Sequence, residues 1–121
     1  MSQHAQAVEF LQMCARGEVR EAYARHVAEG FVHHNPWFPG DRASLLEAME
    51  ASAASEPNKA FDVRQVIDGG DRVAVLTRLE RQDGARYAVV HILRFEGGRI
   101  VELWDVVQEV PAQSPNINGM F

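Results

Sequence analysis

With 121 residues, 46% apolar and 24% charged, the chain is long enough for one domain that buries about two thirds of its unfolded surface and stands without staples. Acidic residues outnumber basic ones 17 to 12, giving a net charge of −5, and the basic ones are scattered, which excludes a nucleic-acid footprint. Cys14 is the only cysteine, which excludes an internal disulfide and a cysteine-based zinc site, and no apolar run approaches the roughly eighteen residues of a transmembrane helix.

Glu9, Gln12 and Arg16 interrupt any apolar leader segment, so no secretory signal is expected and the expected compartment is the cytoplasm. No repeat, linker or low-complexity tract divides residues 1–121, which read as a single domain. Residues from about Gln3 to Ala15 are predicted to be helical, with Ala7, Phe10, Leu11 and Cys14 at helical spacing and Gly17 as the stop. A second helix, from about Glu18 to Glu29, carries Val19, Ala22, Tyr23, His26 and Val27 along one stripe and ends at Gly30. Tyr23 shares that stripe, so its hydroxyl needs a partner or a pocket; a core tyrosine with a wet tip and a catalytic tyrosine both fit.

The stretch Phe31 to Gly40, FVHHNPWFPG, holds two prolines, three aromatics and two histidines in ten residues. Pro36 biases Asn35 toward extended backbone, and the stretch reads as a stiff loop, neither helix nor central strand. Trp37 and Phe38 are expected to form an apolar wall, with His33, His34 and Asn35 as polar tips beside it, the make-up of a small-molecule site. The plainer reading is a loop that staples two helices.

Asp41 is the predicted N-cap of a third helix through about Ser55, with Leu45, Leu46, Met49 and Ala53 buried, and Glu56-Pro57-Asn58 breaks it. From Ala60 the period becomes two. Phe61, Val63, Gln65 and Ile67 share one face, Gly69-Gly70-Asp71 turns the chain, Val73, Val75, Thr77 and Leu79 follow, and Gln82-Asp83-Gly84-Ala85 turns it again. Three N-terminal helices followed by a four-strand antiparallel meander predict an α+β fold with the helices on one face of the sheet.

The last hairpin, Tyr87 to Glu109, is YAVVHILRFEGGRIVELWDVVQE. A three-residue loop, Gly97-Gly98-Arg99 with Gly98 in a G1-type bulge, sets Glu96 against Ile100, Phe95 against Val101, Arg94 against Glu102, Leu93 against Leu103 and Val89 against Val107. A two-residue loop sets Leu93 against Glu102 and Arg94 against Val101, mixing the faces, so the three-residue loop is preferred. His91 then lies opposite Asp105 on the apolar face, with Cβ atoms about 5 Å apart, close enough to hydrogen-bond. A self-satisfied buried pair and a reacting pair remain open. Val90, Ile92, Trp104 and Val106 fall on the other face, too apolar for open water, which predicts a homodimer through it. The tail from Val110 to Phe121 reads as irregular, free to dock or to fray.

The His34-Asn35-Pro36 loop, the order of helices then meander, FEGGRIVELWDVVQ, and the SPNINGMF tail together resemble the SnoaL-like polyketide cyclase branch of the NTF2-like superfamily, in particular its small aldol-condensation-type members. The resemblance implies a cystatin-like α+β cone, in which a curved antiparallel sheet wraps a long helix around a deep pocket. It also implies a strand aspartate acting as general base with a histidine on the neighbouring strand, matched here by Asp105 and His91.

The chemistry expected is proton abstraction α to a carbonyl of a small hydrophobic compound, followed by aldol-type closure or isomerisation. Asp105 is the base, desolvated by Val101, Leu103 and Val107, and His91, His34 and Tyr23 are candidate donors to the enolate oxygen. Asn35, Trp37, Phe38 and Leu103 are expected to line the substrate pocket. No metal or organic cofactor is required, and neither nucleic acid nor membrane is an expected partner. A binding module that holds the same ligand without turnover is the alternative. A metal site built from His33 or His34 with His91 and Asp105 is disfavoured, because adjacent histidines on extended backbone point to opposite sides.

Overall fold

The computed structural model describes all 121 residues. Helices α1 (Gln3–Ala15) and α3 (Arg42–Ser55) open on side-chain caps. Ser2 Oγ accepts from the Ala5 amide at 3.0 Å, and Asp41 Oδ2 accepts from the Ser44 amide at 3.1 Å, each satisfying an orphan donor of the first turn. Both spans agree with those read from the periodicity. Helix α2 (Val19–His26) does not reach Glu29. Val27 takes φ −105° and ψ 130°, and the chain continues as strand β1 (Val27–His33).

Strands β2 (Asn58–Gly69), β3 (Arg72–Arg81), β4 (Arg86–Glu96) and β5 (Arg99–Glu109) form the expected antiparallel meander. The sheet nevertheless has five strands, in the order β1-β5-β4-β3-β2, and is mixed, because β1 runs parallel to β5. The pairing of Val27 with Ile100 and of His33 with Leu103 covers an edge of β5 that would otherwise present unpaired backbone groups. Two expectations are corrected by this. The sheet is not wholly antiparallel, and α3 follows a strand instead of completing a run of three N-terminal helices.

The β4–β5 register is His91 with Asp105, Ile92 with Trp104, Leu93 with Leu103 and Arg94 with Glu102, but Phe95 pairs with Ile100 and Glu96 with Arg99. The loop is therefore two residues long, not three. Gly97 and Gly98 both take positive φ, 59° and 78°, the backbone of a primed hairpin turn whose twist matches that of the strands. Val101 is the extra residue of a bulge, and it restores the register of the rest of the ladder. A second bulge on β2, between Val63 and Gln65, pairs Val66 with Val75. Val66 thus packs against the core while Ile67, expected inside, is 60% exposed.

The core lies between the helices and one sheet face. Tyr23 of α2 meets Phe10 of α1 at a tilt and Phe31 of β1 edge-on, with centroid separations of 5.4 and 6.0 Å, above Val73, Val75, Leu93, Ile100 and Leu103. Each such buried side chain contributes about 1.5–3 kcal/mol. On the outer face Glu102 accepts from Arg94 Nε at 2.9 Å and pairs with His34 Nε2 at 2.6 Å, while the His34 ring stacks on Trp104 at 4.9 Å. Val90, Ile92 and Trp104 are half-buried there, and Val106 is 64% exposed. The tail is fixed at its two ends, by the Val110 amide to the Arg86 carbonyl at 2.9 Å and by the Arg64 guanidinium over the Phe121 ring. No helix is long and apolar enough to cross a membrane.

Candidate functional site

Because side chains alternate along a strand, Leu79 and Arg81 of β3, Tyr87, Val89 and His91 of β4, and Asp105 and Val107 of β5 all face the helices. With Leu11 and Cys14 of α1, Met49, Ser52 and Ala53 of α3, and Phe61 of β2, they enclose a cavity of about 340 Å³. That volume is in the range of small-molecule sites, and the lining is mostly apolar with a few polar groups.

His91 and Asp105 stand side by side in the wall of this cavity. Burial drives the His91 imidazole well below its ordinary range and outweighs the attraction of the Asp105 charge, so the ring is neutral at pH 7. Its Nδ1 is buried without a hydrogen-bond partner. Asp105 is half-buried, and its Oδ2 accepts from Asn35 Nδ2 at 3.0 Å. Asn35 is itself held on two sides. Its Oδ1 accepts from the Trp37 amide at 3.0 Å, closing a short Asx turn, and its own amide donates to His33 Nδ1 at 3.1 Å. The loop after β1 thus delivers one amide group to the carboxylate.

The other expected site residues lie elsewhere. The strand ends with His33 turned inward, 5% exposed and stacked on Phe31, so His34 points to the outer face and Glu102. His34 does not meet His91 or Asp105. Trp37 is 82% exposed and Phe38 40%, so neither forms the expected wall. Leu103 is buried in the core beside His33 and Leu93, one inward-facing position short of Asp105. Tyr23 is fully buried one layer behind the cavity, where its hydroxyl donates to Met49 Sδ at 3.2 Å; burial raises its ionisation far above the ordinary range, so it stays protonated. Burial likewise pushes the Cys14 thiol up to about 12, which leaves it unreactive at neutral pH.

The helix side of the cavity was not identified as a site from sequence, because Leu11, Cys14 and Met49 have the pattern of ordinary core residues. Leu79, Arg81 and Tyr87 were readable in principle, since they share the strand parity of His91.

A family model described as a SnoaL-like domain matches residues 7–103, ending two positions before Asp105. No curated protein matches the chain. Among solved structures, an NTF2-like protein of unknown function from Cytophaga hutchinsonii superposes with a TM-score of 0.72 at 16% identity, covering 89% of this chain and 91% of that one. A proposed ketosteroid isomerase from Kribbella flavida gives 0.71 at 21% identity, with 93% and 82% covered. IdmH of Streptomyces antibioticus, a proposed polyketide cyclase, gives 0.69 at 19% identity, with 88% and 93% covered. At these identities the likeness is one of fold, whereas the family model spans most of the sequence: the chain belongs to the SnoaL-like family and has the NTF2-like fold.

Proposed function

We propose that the protein is a cofactor-independent enzyme that removes a proton α to the carbonyl of a small hydrophobic compound, as an aldol-type cyclase or an isomerase. The observation that carries this reading is the pairing of Asp105 with a neutral His91 in the wall of an apolar cavity. Asp105 accepts the α-proton, and the C–H electron pair moves toward the carbonyl oxygen to give an enolate. A neutral imidazole N–H of His91 donates a hydrogen bond to that oxygen without first having to lose a charge. Asn35 fixes the plane of the carboxylate. The enolate carbon then attacks a second carbonyl of the same molecule, or takes a proton back at another position. The descriptions of the fold neighbours as cyclase and isomerase are in keeping with either outcome.

The test is deuterium exchange at the α-carbon of aryl alkyl ketones, followed by NMR in heavy water. The wild-type protein is expected to accelerate exchange, and Asp105→Asn to lower the rate by about 10²–10⁴-fold with an unchanged fold. Full activity in Asp105→Asn removes the residue as base. Ligand binding with no exchange in either protein favours a module that only holds its ligand, a role to which the apolar lining is equally suited.

The proposal includes a homodimer. The outer sheet face, with Val90, Ile92, Trp104 and Val106, carries an apolar strip between charged borders, and a second copy of the chain is the partner that would cover it.

A further inference from the structure

The cavity has a second polar end, away from His91 and Asp105. Arg81, the last residue of β3, lines the cavity with its guanidinium 5.9 Å from the centroid of the Tyr87 ring. Its backbone is fixed by the β3–β4 turn, where its amide donates to the Ala85 carbonyl at 2.8 Å. Its Nη1 donates to Glu56 Oε2 at 3.0 Å, and Glu56, just past the end of α3, is 70% exposed. Arg16 and Lys59 lie in the adjoining groove, paired with Glu18 and Glu80, so Arg81 is the one lysine or arginine that lines the cavity, and its partner Glu56 lines it beside it.

We propose that Arg81 is an anion anchor, and that the ligand of this cavity carries a carboxylate or a comparable anionic group at the end remote from its enolisable carbon. An exposed ion pair such as Arg81–Glu56 is worth little, so a ligand carboxylate displaces Glu56 at small cost. It gains in exchange the planar, two-pronged fit of a guanidinium, in a wall already desolvated by the ligand itself. Glu56 holds the guanidinium in place while the cavity is empty. The spacing sets the length of the ligand: Tyr87 is four residues from His91 along β4, about 13 Å at the rise of a strand. Between the two ends the wall is mostly apolar, with Leu79, Val89 and Val107 on the sheet side, which suits a hydrocarbon or aryl spacer. The inference rests on the carbonyl reading for the far end of the ligand, but its anionic end is tested separately.

The probes are 8-oxo-8-phenyloctanoate and its methyl ester, with binding followed by titration calorimetry. The acid is expected to bind wild-type protein at least tenfold more tightly than the ester, and Arg81→Gln to reduce that ratio to about one without weakening the ester. Glu56→Gln, an exposed substitution that leaves the fold alone, is expected to raise affinity for the acid several-fold by removing its competitor. Equal binding of acid and ester to the wild type, no detectable binding of either at millimolar concentration, a preference that survives Arg81→Gln, or an unchanged acid affinity in Glu56→Gln overturns the proposal. Acid-selective, Arg81-dependent binding without Asp105-dependent α-exchange supports the anchor while removing the proton-abstraction reading.

Discussion

Asn35 donates a hydrogen bond from Nδ2 to Oδ2 of Asp105 at 3.0 Å, joining positions 70 residues apart in the chain. A carboxylate free to rotate presents its lone pairs in many directions, and one held by an amide presents its remaining oxygen in few. Asn35→Ala is therefore expected to lower the rate of α-exchange by roughly 10–100-fold, the loss associated with one hydrogen bond to a charged group, while affinity for the ketone changes little. Steady-state kinetics with an aryl ketone checks this. Equal losses in kcat and affinity would show that Asn35 shapes the cavity instead of aiming the base.

His91 makes stability depend on pH with a defined sign. Its folded-state pKa lies below the unfolded value of 6.5, so in acid the unfolded chain takes up a proton that the folded chain refuses. Stability is unaffected above about pH 6.5 and falls as pH drops below it, by at most ~1.4 kcal/mol per pH unit, until the folded ring itself protonates near pH 4. Urea denaturation at pH 7 and pH 5 is expected to show this loss in the wild type and a smaller one in His91→Gln. Equal losses would place the acid sensitivity elsewhere.

The hairpin shows how far sequence carries. The opposite charges of Arg94 and Glu102 and the segregation of apolar faces were enough to set His91 against Asp105, and the ladder has that pairing. They were not enough to find the loop. A two-residue turn with its bulge at Val101 and a three-residue turn with its bulge at Gly98 give the same register from Arg94 outward, so the pattern of faces cannot distinguish them. Strand β1 was hidden for a different reason. Val27 and Phe31 are four apart, which is helical spacing, and only the exposed edge of β5, distant in sequence, makes the extended form pay. Without β1 the inward turn of His33 and the outward turn of His34 had no phase, which is why His34 was expected in the pocket and is found on the outer face beside Glu102.

The turn itself can be tested. At Gly97, φ is 59°, a conformation that asparagine tolerates, and Asn-Gly is a favoured pair in primed turns, so Gly97→Asn is expected to be neutral within about 0.5 kcal/mol. Gly98→Val places a β-branched residue at a φ of 78° and is expected to cost about 1–2 kcal/mol or more. Thermal unfolding of both variants checks the pair. Had the loop been three residues long, with only Gly98 left-handed, Gly97→Val would be harmless, so loss of stability in that third variant distinguishes the two turns.

Thr77 offers a test of the core beneath the cavity. It is fully buried on the inner face of β3, opposite Val89, and its Oγ1 has no hydrogen-bond partner. An unsatisfied buried hydroxyl costs about 1–3 kcal/mol, and valine has nearly its shape. Thr77→Val is expected to stabilise the protein by roughly 1 kcal/mol in urea denaturation, with α-exchange unchanged because Thr77 does not line the cavity.

Val106, on β5 next to the half-buried Trp104, and Ile67, on β2 at the far edge, are 64% and 60% exposed, and Ile92 and Val90 lie between them. A monomer leaves that strip in water, whereas a dimer about a two-fold axis buries it against itself and leaves Arg94, Glu102 and Arg78 at the rim. Light scattering at micromolar concentration is expected to give twice the 13.5 kDa chain mass, and Val106→Arg to give the monomer mass with its helix and strand content intact. Because α1, α3 and the cavity lie on the opposite face, the variant is expected to keep the affinity of the wild type for ketones. A wild-type mass of one chain would reject the dimer and leave the strip an exposed surface of the monomer.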